Sequence, residues 1–191
     1  KADLLMVDRF IKTVLWACGG FKITIGGCDF VADYIKKAYS KGGSREFDMV
    51  NMANIYEQPF EVLSVPLDQV GESSSESKSA GRHLNGCRIG FDAGGSDRKV
   101  SAVVDGEAIW SEEVVWNPKT NSDPDYHYDG IVAAFRSAAE KMPRVDAIGI
   151  SSAGIYVNNR TMLASLFLKV PKDLFDSKVK DIYIRAAKEI G

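Results

Sequence analysis

The sequence predicts an α/β fold in two blocks. Short alternating apolar runs recur between stretches with apolar residues at helical spacing. Gly-Gly, Asp-Gly and Asn-Asn pairs fall between those runs as turns. A Ser-rich polar stretch, Pro66 to Gly86, has little to bury and reads as a linker or mobile loop between residues 1–65 and 87–191.

In the first block, apolar spacing predicts a helix over Asp3 to Ala17, stopped by Gly19-Gly20. "FKITI", Phe21 to Ile25, alternates as a strand, and Gly26-Gly27 turns the chain. A helix over Phe30 to Tyr39 follows, then one over Met49 to Tyr56, then the strand "FEVLSV", Phe60 to Val65.

The second block predicts β-β-β-α-β-α. "CRIGFDA" reads as a buried strand. "RKVSAVVD" and "EAIWSEEVVW" alternate on either side of Asp105-Gly106, which completes a β-meander. Asn117 to Gly130 reads as a polar loop and Ile131 to Lys141 as a helix. "VDAIGIS", Val145 to Ser151, is a strand reached through that helix and is expected parallel to the first. "SAGIYVNNR" is a turn or strand end, and Lys178 to Ile190 closes the block as a helix.

Composition excludes some partners. The 191 residues are 45% hydrophobic and 26% charged, as in soluble globular proteins, with a formal net charge of -2. That balance gives no electrostatic reason to bind nucleic acid or an anionic membrane. No apolar run approaches the ~18 residues of a spanning helix. The three cysteines show no CxxC spacing and read as reduced thiols, which points to a cytoplasmic protein. Two histidines without ligand-spaced partners argue against structural zinc.

The chemistry concentrates in "GFDAGGSDRKVSAVVDGE", Gly90 to Glu107. An aspartate ends a strand, and a Gly-Gly-Ser turn leads into the next. Glycines let backbone approach a ligand closely or take positive φ. Successive N–H groups in a turn can hold an anion. Ser96 adds a hydroxyl, and Asp92 could hold a hydrated divalent cation. The chain has neither the GxxxxGK[ST] phosphate loop nor GxGxxG. On spacing alone, a hairpin corner with Asp92 as a turn acceptor is an equal alternative.

The strand-Asp-x-Gly-Gly-Ser-x-strand-Asp-Gly-strand pattern resembles the first phosphate loop of the actin-like ATPase and sugar-kinase superfamily. It is most similar to the ROK family, which contains sugar kinases and sugar-responsive repressors. Asp92, Gly94, Gly95 and Ser96 occupy the motif positions. Asp105-Gly106 sits at the family's next turn, and "DAIGISSAGIYVNN", Asp146 to Asn159, resembles its next landmark. The resemblance spans 87–191 and implies a ribonuclease H-like, actin-like ATPase lobe.

It further implies ATP and Mg²⁺ as cofactors, with Asp92 the metal-ordering carboxylate and Gly94, Gly95 and Ser96 the phosphate binders. Ser151, Ser152, Gly154 and Asn158 would lie near a sugar-like acceptor. Ser96 replaces the family's usual Thr, Asp97-Arg98 replaces a Lys or similar residue, and Ser151 to Gly154 lacks a proline-containing turn. The family's Asn-Asp general base, its cysteine-rich zinc motif and its second phosphate loop are absent from these residues. The chain is therefore expected to be an inactive first part of an ATP-dependent kinase, either forming a homo-oligomer or with the second lobe supplied by further sequence. Alternative readings are a sugar-sensing regulator without turnover and an actin-like ATPase that drives a partner.

Four features carry weaker signals. "FKITIGG" resembles the superfamily's nucleotide-side segment, but a tight turn at Gly26-Gly27 is the simpler reading. Trp110 and Trp116 share a strand face and read as core or interface. The run Asp123, Asp125 and Asp129 with Tyr126, His127 and Tyr128 reads as a solvated loop, and Asn158-Asn159 as turn chemistry.

Overall fold

The computed structural model describes residues 2–74, 81 and 83–191. Two compact units emerge, Lys1–Ser77 and Lys78–Gly191. Part of the Ser-rich stretch, 75–80 and 82, lies outside the described residues.

The first unit contains α1 (Ala2–Cys18), β1 (Lys22–Gly26), α2 (Asp29–Ala38), α3 (Glu46–Tyr56) and β2 (Glu61–Val65). β1 and β2 pair in parallel, with Ile23 opposite Val62. Ala32, Ile35 and Ala38 form the buried stripe of α2, at the 3.6-residue period the sequence shows. Asp8 and Asp48 are buried, and the Arg45 guanidinium bonds both Asp8 oxygens at 3.0 and 2.5 Å. Trp16 donates to Asp48 at 2.8 Å, so both buried carboxylates have partners. Gly26-Gly27 is indeed a turn. Gly27 has φ 72° and donates to Val65 O, and a Cβ on Gly26 would sit 2.2 Å from Val70 Cγ2.

In the second unit, β3 (Cys87–Ala93), β4 (Asp97–Val104) and β5 (Glu107–Val115) form an antiparallel meander. β6 (Ala147–Ser152) joins β3 in parallel, so the sheet order is β5-β4-β3-β6. These directions are the ones the sequence predicts. Asp105 (φ 49°) and Gly106 (φ 91°) make the β4–β5 turn with both central residues left-handed, which matches the twist of a tight hairpin.

Alternation along β3 sorts its residues by face. Cys87, Ile89, Phe91 and Ala93 are buried, while Arg88, Gly90 and Asp92 face the other way. α4 (Pro124–Ala139) covers the apolar face with Ile131, Ala134, Phe135 and Ala138. Phe91 and Phe135 meet edge to face at 5.3 Å, a geometry contributing about 0.5–1.5 kcal/mol beyond their area burial. The opposite face carries the small and charged residues and keeps them near solvent.

Three boundaries differ from the sequence expectation. The polar loop 117–130 is in part helix: Asp123 caps α4 by accepting from Asp125 N–H at 3.0 Å, and Pro124 takes the first helical position. His127 is consequently buried, among Trp116, Tyr126 and Phe167, rather than in a solvated loop. "GIYVNNR" is a hairpin of β7 (Gly154–Val157) and β8 (Arg160–Ala164), turned by Asn158 (φ 52°) and Asn159 (φ 63°). The last helix does not start at Lys178. A short helical turn, α5 (Lys172–Leu174), and a wider turn over Phe175–Val179 precede α6 (Ile182–Ile190). The Lys180 carbonyl is held by Thr161 N–H at 2.8 Å, which ties this segment to β8.

Candidate functional site

The β3–β4 turn is built around Trp116, at the end of β5. Its indole N–H donates to Gly94 O at 2.9 Å, and its backbone N–H donates to Ser96 O at 3.0 Å. Two turn carbonyls are thus held against a side chain that is 2% exposed. Strand pairing at Ala93 engages the Gly94 N–H in the ladder, and among the described residues no hydrogen bond uses the N–H groups of Gly95 or Ser96. Trp116 thus serves the core, as the sequence suggests, and also fixes this turn.

Neither Gly94 nor Gly95 has positive φ. The left-handed freedom considered from the sequence is not what these positions use. Space is. A Cβ on Gly94 would lie 2.5 Å from the Asp97 carbonyl oxygen, and one on Gly95 would lie 2.5 Å from Lys119 Cε and Nζ.

Asp92 sits one residue before the end of β3, exposed on the open face of the sheet. Strand register puts Ser151, Asp92, Lys99 and Glu113 in one row across four strands. The adjacent row is Gly149, Gly90, Ser101 and Ser111. Both rows line a groove of about 570 Å³. The absence of large side chains in the second row leaves the groove open beside Asp92. Lys99 donates to Asp97 at 2.9 Å, and that bond, helped by the nearby Glu113 and Asp92 charges, raises its pKa above the ordinary lysine value.

The residues assigned to the acceptor side are not all together. Ser151 stands beside Asp92 in the row. Ser152 points to the other face, where its Oγ accepts from Tyr156 at 2.8 Å and Tyr183 at 3.4 Å. It lines a second groove of about 600 Å³ with Ile148, Ile150, Tyr183, Ile184 and Asn159. Burial pushes the Tyr183 hydroxyl pKa well up, so it stays protonated and can donate. Gly154 starts the β7 hairpin, where a Cβ would lie 2.4 Å from Leu163 O, and Asn158 is in its turn. Alternation alone separates Ser151 from Ser152, since neighbours in a strand face opposite ways.

Of the two carboxylates flanking the turn, Asp97 is bonded to Lys99 and Asp92 makes no side-chain hydrogen bond, and no group of three or more His, Cys, Asp or Glu suited to a metal occurs among the described residues. A lone carboxylate fits Mg²⁺ that keeps its waters and is shared with phosphate oxygens, and does not fit an all-protein cage. Two contributors were not evident from the sequence. Lys119 comes from the loop after β5, twenty-four positions beyond Gly95. Trp116 acts on the turn by its N–H groups, and only its even spacing from Trp110 singled it out. The cysteines are free, and no helix among the described residues is long and apolar enough to cross a membrane. No protein-family model matches the chain, and no curated protein matches it.

Proposed function

We propose that the second unit is the phosphate-binding first lobe of an ATP-dependent kinase of the actin-like ATPase superfamily, with a sugar-like hydroxyl compound as acceptor. The observation that carries the reading is the junction of strand order and turn. A β5-β4-β3-β6 sheet has Asp92 one residue before the end of its interior strand β3, beside a turn with free N–H groups on Gly95 and Ser96 and no room for side chains. Ligands in α/β sheets favour the carboxyl ends of strands, and phosphoryl transfer relies mainly on positioning and charge stabilisation.

In this reading Gly94, Gly95 and Ser96 hold phosphate oxygens, and Asp92 orients the hydration shell of Mg²⁺. Bound Mg²⁺ supplies charge neutralisation at the phosphates. Ser151, in the same row as Asp92, faces the acceptor side of the groove. Ser152 and Asn158 act at a distance from the turn, by supporting the Tyr156–Tyr183 cluster and the hairpin. No Asn-Asp pair occurs in the 191 residues, so the base that would take the acceptor proton is not among them.

A calorimetric titration with MgATP, paired with a phosphorylation assay on hexoses, tests the reading. Nucleotide binding without phosphotransfer by this chain alone is expected. A chain that binds no nucleotide overturns the lobe assignment. Phosphotransfer by the chain alone overturns the placement of the base outside it.

A further inference from the structure

Lys119 lies across the β3–β4 turn. It belongs to a single 3₁₀ turn, Pro118–Thr120, that follows Trp116. Its Cε and Nζ occupy the space where any side chain on Gly95 would begin. Lys119 is exposed, and its ammonium has no carboxylate partner among the described residues. The nearest acidic group on the turn, Asp97, is already bonded to Lys99 through Oδ1 at 2.9 Å and lies 3.5 Å from the Ser96 hydroxyl through Oδ2. An uncompensated ammonium therefore sits over a turn in which the Gly95 and Ser96 N–H groups have no protein acceptor.

These groups are all donors, and they need an acceptor carrying negative charge. An ammonium with three rotatable donors suits an oxygen of a phosphate, and backbone N–H groups suit the same oxygen or its neighbour. We infer that Lys119 is a phosphate-binding residue that closes over the Gly94-Gly95-Ser96 turn when the phosphate chain of a nucleotide is bound. Gly95 is glycine so that this side chain can lie flat on the turn. The inference rests on the phosphate-site reading given above, and it adds a residue that the motif does not contain.

The mechanism follows from placement. Trp116 and Pro118 are buried, so the backbone that carries Lys119 is held in place while its side chain remains free to swing. The ammonium can leave the glycine surface, admit a phosphate and return to it without movement of the sheet. Asp92, in the open-face groove, orders the cation while Lys119 compensates phosphate charge that the cation does not reach.

The test follows the amide resonances of Gly94, Gly95 and Ser96 during MgATP titration of the whole chain, with inorganic pyrophosphate in a parallel arm. The variants are Lys119→Gln, Lys119→Arg and Gly95→Ala. Lys119→Gln is expected to weaken MgATP binding about tenfold, the loss of one charge-assisted hydrogen bond, with Tm unchanged. Lys119→Arg retains most of the affinity. Gly95→Ala, which pushes the lysine aside, weakens binding in the same direction. Pyrophosphate shifting the same amides shows that the site reads phosphate and not the base. If MgATP shifts the three amides equally in wild type and Lys119→Gln, the role of Lys119 is overturned and the phosphate reading stands. If Lys119→Gln lowers Tm in step with affinity, the residue is structural and the inference fails. If no amide of the turn responds in the wild type, both readings fall together.

Discussion

The indole N–H of Trp116 donates to the carbonyl of Gly94 at 2.9 Å, so the end of the third strand of the meander holds the turn between its first two. With the Trp116 backbone N–H on Ser96 O, the turn has one fixed shape before any ligand arrives. Preorganisation of this kind removes ordering from the binding step.

Trp116→Phe keeps the ring and deletes the donor. It leaves the Gly94 carbonyl short of one partner, and a decrease in stability of about 1–3 kcal/mol is expected from chemical denaturation. Affinity for MgATP should fall as well, because the turn loses its anchor. An unchanged denaturation midpoint would show that water replaces the indole without loss.

Gly94→Ala and Gly95→Ala should separate cleanly. The first places a methyl 2.5 Å from a backbone carbonyl that cannot move without disturbing β4, and a loss of about 1–3 kcal/mol is expected. The second meets only the end of a flexible lysine, so Tm should stay within about a degree of wild type, the usual result for surface changes of under 0.5 kcal/mol. Equal destabilisation in the two variants would contradict the assigned cause.

Asp92→Asn should leave the fold unchanged, because the Asp92 side chain is exposed and only its backbone, which asparagine keeps, takes part in the ladder. It should remove the Mg²⁺ dependence of ATP affinity. Mg²⁺ without nucleotide should bind wild type weakly, since one carboxylate is a poor cage. Calorimetry with and without Mg²⁺ decides the matter, and equal Mg²⁺ dependence in the variant would remove Asp92 from the cation site.

Asp146 gives a pH prediction. Arg144, at 2.7 Å, and then the Cys87 N–H, at 2.8 Å, hold its carboxyl below the ordinary aspartate value. A carboxyl lowered in the folded state adds stability above its unfolded pKa. That stability fades as pH falls through the unfolded and then the folded value. The Tm difference between wild type and Asp146→Ala should therefore be full at neutral pH and shrink below about pH 4, the ordinary aspartate value. A difference independent of pH would show that the contact with β3 is steric.

Much of the second unit was legible because its signals are local. The meander follows from period-two alternation and Asp105-Gly106, whose residues prefer the left-handed region that a tight hairpin turn requires. β6 reads as a parallel partner because a helix separates it from β5. The apolar pattern starts α4 only at Ile131, because its first turns are polar. Asp123-Pro124 carried the starting signal, while the aspartates and tyrosines around it suggested solvent. His127 is buried only because Trp116 and Phe167 close over it, and no spacing rule encodes that.

The sequence by itself determined the α/β class, the order of strands and the presence of Asp92 before a glycine turn. Each depends on neighbours a few residues apart. The tertiary structure decided what the glycines are for. Gly95 must be small because Lys119, brought from the far end of β5, occupies its Cβ position, and Gly94 because the chain doubles back onto Asp97. It also decided that Ser151 joins Asp92 in one row while Ser152 turns to Tyr156 and Tyr183. Contacts between residues distant in the chain arise only when strands pair and side chains fill the same volume, and one-dimensional periodicity carries no record of that.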